Sequence, residues 1–261
     1  MTNNVFKHSG TAGDLIYALP LVQHFGGGEF YIHLNQIEWM SQHYYNAPLP
    51  AGHFHKGRMD ERDFELMRRL LEAQPYITKV GILNPTETAV THNLDRFRDL
   101  FVSHPGNYVD VYATTFGITS DAEKEELRGT PWITVPNEKT LEGRDVAINR
   151  TARWLPSKLS PIWADWKAQG VEDRAFFLGL PEEHNAFQQA TGWNIPYQPT
   201  TDLLELAQYI AGANVFIGNQ SVALSIAIGL GHDDVWCEAR RDLPIERNEC
   251  YFPNQHGLHY F

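Results

Sequence analysis

The sequence predicts an α/β protein built on parallel sheets, and three of its features support this class. Short apolar runs recur along the 261-residue chain, amphipathic segments with helical spacing separate them, and polar loops follow several of the runs. Short buried strands that alternate with helices are typical of parallel sheets covered on both faces. The composition, 43% hydrophobic and 20% charged, is that of a globular chain long enough to bury a substantial core.

Each predicted strand is a short apolar run bounded by polar or glycine-containing loops. The strands are residues 5–8, 30–34, 79–83, 132–135, 145–149, 174–178, 214–217 and 235–237. Each predicted helix has apolar residues three or four positions apart, which places them on one face. The helices are residues 14–25, 36–45, 60–73, 162–169, 182–191, 202–211 and 220–230.

A polar segment near the middle of the chain, residues 136–144, contains proline and glycine and is typical of a linker. Each half of the chain then opens with a strand that leads into a small-residue or polar loop. The sequence therefore predicts two Rossmann-like domains, residues 1–136 and residues 137–261. A single large sheet around one core is the alternative.

The charge and cysteine content disfavour several classes of protein. The formal net charge is −11, from 32 acidic and 21 basic residues, and an acidic surface repels the phosphate backbone of nucleic acids. Cys237 and Cys250 are too few for a disulfide framework or a four-thiolate zinc site. No apolar stretch has the length of a membrane span, and no signal peptide is recognised. We therefore expect a soluble protein of the reduced cytoplasm.

The first predicted strand leads through the loop KHSGTAG, residues 7–13, to Asp14 at the start of the first helix. Glycines at positions 10 and 13 let the backbone turn tightly and approach a ligand closely. In a parallel sheet this junction lies at the carboxyl edge of the strands, where ligands bind. Asp14 is a favoured type of capping residue, and it is also a candidate catalytic base or ligand-binding carboxylate.

Polar side chains also follow two strands of the second half. Asn149 ends one strand, and Arg150 and Arg153 come after it in an otherwise acidic chain. Another strand ends in a turn formed by Gly218, Asn219, Gln220 and Ser221, and a helix of small residues follows. Guanidinium groups and the unpaired N–H groups of a helix start both suit phosphate oxygens. The two features together predict an anion site, although each residue singly also fits a surface salt bridge or a helix cap.

The opening segment resembles a motif of glycosyltransferase family 9, the heptosyltransferase-like group. Residues 8–22, HSGTAGDLIYALPLV, are similar to the family's strand, small-residue loop ending in Gly-Asp, and helix with an early proline. Gly13, Asp14 and Pro20 match this motif.

Residues 202–231 resemble the donor-side motif of the same family, which is a helix, a strand ending in Gly-Asp-Ser/Thr-Gly, and a small-residue helix. Gly218 matches the first glycine of that motif. Asn219 stands where the family has Asp, and Leu224 stands where the following helix usually has His.

The resemblance implies a GT-B architecture, in which two Rossmann-like domains face each other across a cleft and the C-terminal one binds a nucleotide-diphospho-sugar. It implies an inverting transferase without metal or other cofactor, because basic groups and a helix N-terminus neutralise the leaving diphosphate. Asp14 matches the family's catalytic base, which would deprotonate the acceptor hydroxyl. The donor ligands on this interpretation are Gly13, Asn149, Arg150, Arg153, Gly218, Asn219, Gln220, Ser221 and Glu238.

Three of the candidate side chains keep a simpler alternative. Asp95 and Arg98 lie three positions apart and share a face if the segment is helical, so they form either a surface ion pair or part of the acceptor site. Glu238 follows a predicted strand and is either a surface carboxylate or an acceptor for a ribose hydroxyl.

The acceptor and the activity itself also keep alternatives. A saccharide is the expected acceptor; a hydroxymethylated DNA base, if the protein is encoded by a virus, is disfavoured by the net charge. The altered donor motif keeps open a nucleotide- or sugar-phosphate-binding protein without transferase activity. A GT-B-like epimerase acting on the nucleotide-sugar alone is the remaining alternative.

Overall fold

The computed structural model describes residues 4–35, 38–39, 54–55, 59–99, 107–152, 154–239 and 255–261. The chain divides into two compact units, Met1–Trp132 and Ile133–Phe261, and each contains its own parallel sheet. The alternative of a single large sheet is therefore wrong. The division lies just before the boundary that the sequence predicts.

The first unit places the end of its first strand at a ligand-binding position. Its described strands are β1 (Val5–His8), β2 (Gly28–Ile32), β3 (Glu38–Trp39), β4 (Phe54–His55), β5 (Ile77–Ile82) and β6 (His92–Asn93). Its described helices are α1 (Ala12–His24), α2 (Glu61–Glu72), α3 (Tyr108–Thr115) and α4 (Asp121–Gly129), with a 3-10 helix at Leu94–Asp99. The parallel sheet has the order β5-β2-β1-β6, and β3 pairs with β4 antiparallel. Because β2 and β6 lie on opposite sides of β1, the carboxyl end of β1 is a topological switch point, where α/β sheets bind ligands.

Helix α1 is buried at every position from Leu15 to Val22, and it packs against α3. A helix that is apolar all round is stable only when other elements cover it on all sides. The strand side chains of Phe6 and Phe30 are likewise fully buried. The start of α1 therefore lies on a packed core, so the backbone that carries a side chain at that position is held in place.

The second unit contains a six-stranded parallel sheet. Its strands are β7 (Val146–Asn149), β8 (Ala175–Leu178), β9 (Tyr197–Gln198), β10 (Val215–Asn219), β11 (Val235–Glu238) and β12 (Leu258–Tyr260). Its described helices are α5 (Ile162–Ala168), α6 (Val171–Arg174), α7 (Pro181–Thr191), α8 (Leu203–Ala211) and α9 (Val222–Gly229). The strand order is β12-β11-β10-β7-β8-β9, and all pairs are parallel. The carboxyl ends of β7, β10 and β11 therefore meet at one edge of the sheet.

An aromatic cluster fixes the position of α5 beside this sheet. The Trp163 ring packs edge-on against Phe187, Trp193 and Phe261, with ring centroids 5.2, 5.6 and 5.4 Å away. Edge-to-face aromatic pairs of this kind favour one orientation of each ring. The indole of Trp163 is thereby held with its N–H directed at Glu238, 3.1 Å from Oε1.

Two predicted elements differ from the structure. Residues 132–135 are not a strand: Trp132 and Ile133 are buried, but the N–H of Ile133 bonds to the carbonyl of Gly229 at the end of α9, not to a neighbouring strand. Of the predicted helix at residues 36–45, only Glu38 and Trp39 lie in the described ranges, and they form β3 because tertiary pairing overrides local propensity. None of the helices in the described ranges is long and apolar enough to cross a bilayer.

Candidate functional site

The loop between β1 and α1 is drawn tightly against neighbouring side chains. A Cβ atom at Gly10 would lie 2.6 Å from Arg98 Nη2, 2.6 Å from His8 Cε1 and 3.0 Å from Asp14 Oδ2. A side chain at this position would push these three groups apart. Glycine at position 10 thus lets the loop approach these three side chains closely. Gly13 differs, since open space surrounds its Cβ position, and its predicted donor contact stays a prediction.

Asp14 caps α1 and keeps part of its carboxylate side chain exposed. It lies in the first turn of α1, and its Oδ2 accepts the backbone N–H of Thr11 at 3.2 Å, as in a capping box. Arg98 Nη2 lies 3.5 Å from the same oxygen, and the side chain keeps 18% of its surface exposed. Within the described part of the chain, Oδ1 has no hydrogen-bond partner. The carboxylate is thus held through one oxygen and accessible through the other.

Asp95 connects β1, the loop and the 3-10 helix. It forms an ion pair with Lys7, and its Oδ1 accepts the backbone N–H of Ser9 at 2.9 Å and Arg98 Nη1 at 3.0 Å. Burial alone would raise the pKa of Asp95, but attraction to Lys7, to Arg98 and, at acidic pH, to the protonated ring of His8 outweighs it and holds that pKa well below its usual range. The Asp95–Arg98 pair is therefore an internal brace, with 13% and 17% of the two side chains exposed, and the surface-pair alternative is wrong. Its predicted contact with an acceptor stays a prediction.

Two polar residues near Asp14 were not among the sequence candidates. His8 is fully buried, and its Nε2 lies 2.7 Å from the hydroxyl of Tyr112. That hydroxyl also donates to the backbone carbonyl of Asp14 at 2.9 Å. His8 stands in the opening motif and could have been considered from sequence, but Tyr112 is far along the chain and no local pattern connects it to the loop.

Asn149 joins three elements at the carboxyl edge of the second sheet. Its Oδ1 accepts the hydroxyl of Ser221 at 2.9 Å, and its Nδ2 donates to the carbonyl of Leu178 at 2.9 Å. Ser221 also caps α9, because its Oγ accepts the N–H of Leu224 at 3.3 Å. Gly218 allows this close meeting, since a Cβ atom there would lie 2.7 Å from the carbonyl oxygen of Asn149. These residues form a rigid frame around the start of α9.

Asn219 holds the loop that follows β7. Its Oδ1 accepts the N–H of Thr151 at 2.9 Å, and its Nδ2 donates to the carbonyl of Thr151 at 3.0 Å. This reciprocal pair needs one donor and one acceptor on the same side chain, which an amide has and a carboxylate lacks. The departure from the family's Asp therefore has a structural use in this chain. Arg153, which was predicted to bind the donor from the same loop, lies outside the described residues.

Arg150 and Glu238 form a buried ion pair at the ends of β7 and β11. Arg150 Nε donates to Oε2 at 2.5 Å and Nη2 to Oε1 at 3.4 Å, and Trp163 Nε1 donates to Oε1 as well. Glu238 has no exposed surface, so the surface-carboxylate alternative is wrong. Glu238 is already bonded to Arg150 and Trp163, and its predicted contact with a ribose hydroxyl stays a prediction; Arg150 keeps 8% of its side chain exposed.

The described candidates of the second unit therefore lie at the carboxyl edge of its sheet, and two pairs of them bond to each other, Asn149 with Ser221 and Arg150 with Glu238. The N–H groups at the start of α9, an eight-residue helix, and the exposed part of Arg150 are the groups there that suit an anion. No cluster of three or more His, Cys, Asp or Glu side chains arranged for a metal ion occurs among the residues described.

Replacing Asn219 with aspartate, the residue of the family motif, is expected to lower the free energy of unfolding by about 1–3 kcal/mol. A carboxylate cannot donate to the carbonyl of Thr151, and its charge would stand in a fully buried position. Urea denaturation followed by circular dichroism measures the change. Asn185→Asp, at an exposed position of α7 in the same unit, is the control and is expected to stay within about 0.5 kcal/mol of wild type. Equal stability of the two variants would show that the Asn219–Thr151 pair does not hold the loop.

No protein-family model matches the chain, and no curated protein sequence matches it. Solved structures do. A glycosyl transferase family 9 protein from Veillonella parvula is 10% identical with a TM-score of 0.62, over 98% of this chain and 84% of that one. The E. coli heptosyltransferase WaaC, solved with ADP-2-deoxy-2-fluoro heptose, is 12% identical with a TM-score of 0.50, over 99% of this chain and 93% of that one.

The iron-containing dodecameric heptosyltransferase TibC of enterotoxigenic E. coli, solved with ADP-D-beta-D-heptose, is 14% identical with a TM-score of 0.53. The alignment covers 98% of this chain and 63% of TibC. At such low identities the likeness shows the fold and no more. This chain has the two-unit α/β fold, of the GT-B type, that is found in glycosyltransferase family 9 structures.

Proposed function

We propose that the protein is a glycosyltransferase that transfers a sugar from a nucleotide-diphospho-sugar to an acceptor hydroxyl, with inversion at the anomeric carbon and without a metal ion. The observation that carries the proposal is the setting of Asp14. Its carboxylate stands at the carboxyl end of β1, held through Oδ2 and accessible through Oδ1, in a fold whose solved examples include heptosyltransferases. A hydroxyl is a weak nucleophile, so a positioned carboxylate is the group that this reaction needs.

The second unit supplies the features expected of a donor site. The start of α9 offers backbone N–H groups and the positive end of the helix dipole, and Arg150 adds a cationic edge. These groups suit a diphosphate, and they would stabilise the negative charge that develops as it leaves. The solved structures of WaaC and TibC contain ADP-linked heptoses or analogues, which supports a donor of the same chemical class for this chain.

In the proposed reaction the proton of the acceptor hydroxyl passes to Oδ1 of Asp14. The acceptor oxygen forms a bond to the anomeric carbon while the bond from that carbon to the diphosphate breaks. Arg98 and the N–H of Thr11 hold Oδ2 throughout, so the carboxylate need not rotate as it takes the proton. A base that is already oriented for proton transfer avoids the entropy cost of orienting it during the reaction.

A panel of sugar nucleotides tests the proposal directly. The purified protein is incubated with each donor, with saccharide acceptors, with DNA containing hydroxymethylated bases, and with no acceptor, in the presence of EDTA. Mass spectrometry then follows the released nucleotide and any glycosylated product. Transfer to an acceptor is the expected result, and it would identify the donor, the acceptor class and the independence from divalent metal together.

Two other outcomes would select the alternatives. If calorimetry shows nucleotide binding but no donor is hydrolysed or transferred, the protein is a binding protein. The hydrogen bonds of Asn149 with Ser221 and of Asn219 with Thr151 are compatible with that function too. Conversion of the donor sugar into its epimer without an acceptor would identify an epimerase. Either outcome would overturn the transferase.

A further inference from the structure

His8 and Tyr112 form a buried polar chain that the proposed reaction does not use. His8 has no exposed surface and Tyr112 has 1%, and the chain ends at the backbone of Asp14. Burying a polar group lowers stability unless the group is fully hydrogen-bonded. Here each polar group forms its hydrogen bonds, and we therefore consider what this buried network does for the site.

The direction of each hydrogen bond in this chain is determined by its neighbours. The backbone N–H of Gly10 donates to His8 Nδ1 at 2.8 Å, and an N–H can only donate. A neutral His8 must therefore carry its proton on Nε2, which donates to the Tyr112 hydroxyl. The hydroxyl proton of Tyr112 is then available for the carbonyl of Asp14. One tautomer satisfies all three links.

We infer that Tyr112, with its hydroxyl oriented by His8, is a positioning residue that fixes the main chain of Asp14 and so the direction of its carboxylate. Asp14 is then held at two points, its backbone carbonyl by Tyr112 and its Oδ2 by Thr11 and Arg98. Two separate points of attachment, one on the main chain and one on the carboxylate, determine the orientation of the side chain on the packed start of α1. The inference rests on the proposed role of Asp14 as the base.

The surroundings keep this chain in one state. Burial lowers the pKa of His8 to about 4, so the ring stays neutral at ordinary pH. The carboxylates of Asp95 and Asp14 favour the charged ring, whereas the positive charges of Arg98 and Lys7 disfavour it. The Tyr112 ring stacks on Phe97, with ring centroids 4.5 Å apart. This stacking holds the Tyr112 ring in place independently of its hydroxyl group. Removing only the hydroxyl therefore leaves the packing in place and makes Tyr112→Phe a mild structural change.

Three variants and a control test the inference by kinetics. Tyr112→Phe is expected to lower kcat about tenfold while the donor KM stays within a factor of about two. His8→Asn keeps an acceptor near the Nδ1 position but loses the hydrogen bond to Tyr112. We therefore expect its kcat to fall by a similar factor. His8→Gln keeps a donor near the Nε2 position and is expected to retain most of the activity. Tyr31→Phe, which removes a part-buried hydroxyl bonded to Glu29 in the same unit, is the control and should leave kcat unchanged.

Amide hydrogen exchange gives a readout that needs no activity. Peptides covering residues 9–15 are expected to exchange about tenfold faster in Tyr112→Phe and His8→Asn than in wild type and Tyr31→Phe. Wild-type exchange in these variants, or a wild-type kcat in Tyr112→Phe, would overturn the inference. Absence of transfer by the wild-type protein with every donor would instead overturn the proposed function, and the exchange rates would still decide whether the two residues hold the loop.

Discussion

Replacing Asp14 with asparagine is expected to lower kcat for sugar transfer by about 10²–10⁴-fold while the affinity for the donor stays unchanged. An amide cannot take the proton of the acceptor hydroxyl, so the base is lost. Asparagine still has an oxygen that can accept the N–H of Thr11, and the cap of α1 is therefore kept. The substitution thus removes the base and the charge that attracts Arg98 but keeps the cap, whereas Asp14→Ala would remove the cap as well.

Asp63→Asn is the matched control for this experiment. Asp63 has the same place in α2 that Asp14 has in α1: it lies in the first turn, and its Oδ2 accepts the N–H of Asp60 at 3.3 Å in a capping box. Initial rates at saturating donor and acceptor give kcat, and calorimetry gives the donor affinity. A control variant with wild-type turnover would show that a change of cap does not reduce activity. Wild-type turnover in Asp14→Asn would remove Asp14 as the base.

Replacing Glu238 with glutamine is expected to lower the free energy of unfolding by about 3–5 kcal/mol, the usual cost of breaking a buried ion pair by removing one partner. Arg150 would keep its charge in a site where only 8% of its side chain meets water. The N–H groups of Arg150 and Trp163 would also compete for the single remaining acceptor oxygen. We expect nucleotide binding to weaken as well, because Arg150 loses the partner that orients it.

Asp145→Asn provides the comparison within the same unit. Asp145 pairs with Arg174 at the surface, where 30% and 55% of the two side chains are exposed, and exposed pairs contribute about 0–1 kcal/mol. Denaturant titration of both variants measures the difference. If Glu238→Gln proved no less stable than Asp145→Asn, the buried pair would have no structural importance and Glu238 would regain its place as a candidate ribose ligand.

The α/β class follows from local patterns. Apolar runs such as residues 145–149 and 214–217 predict buried strands, and the spacing of apolar residues in residues 202–211 predicts a helix. The division into two sheets rather than one was decided by the structure. Residues 132–135 show the limit of this reasoning. Trp132 and Ile133 are buried as strand side chains would be, but burial by itself does not specify a ladder partner, and Ile133 bonds to the end of α9.

The candidate residues also divide into those whose contacts are local in the sequence and those whose partners are distant. Asp14 could be predicted because its glycine-containing loop, its helix and its cap are all neighbours in the chain. Tyr112, which bonds to the carbonyl of Asp14, and Glu238, which bonds to Arg150, are paired with partners far away in the sequence. Nothing local in one sequence indicates which distant residue will be the partner.

The sequence by itself thus determined the α/β class, the positions of most strands and helices, and the candidate carboxylate at the end of β1. Those features depend on periodicity and on loop chemistry, which act over a few neighbouring residues. Only the tertiary structure decided that Arg150 is paired with Glu238, that Asn219 holds Thr151, and that His8 and Tyr112 support Asp14. These contacts depend on burial, where a polar group must find a partner, and the fold alone sets which partner lies within reach.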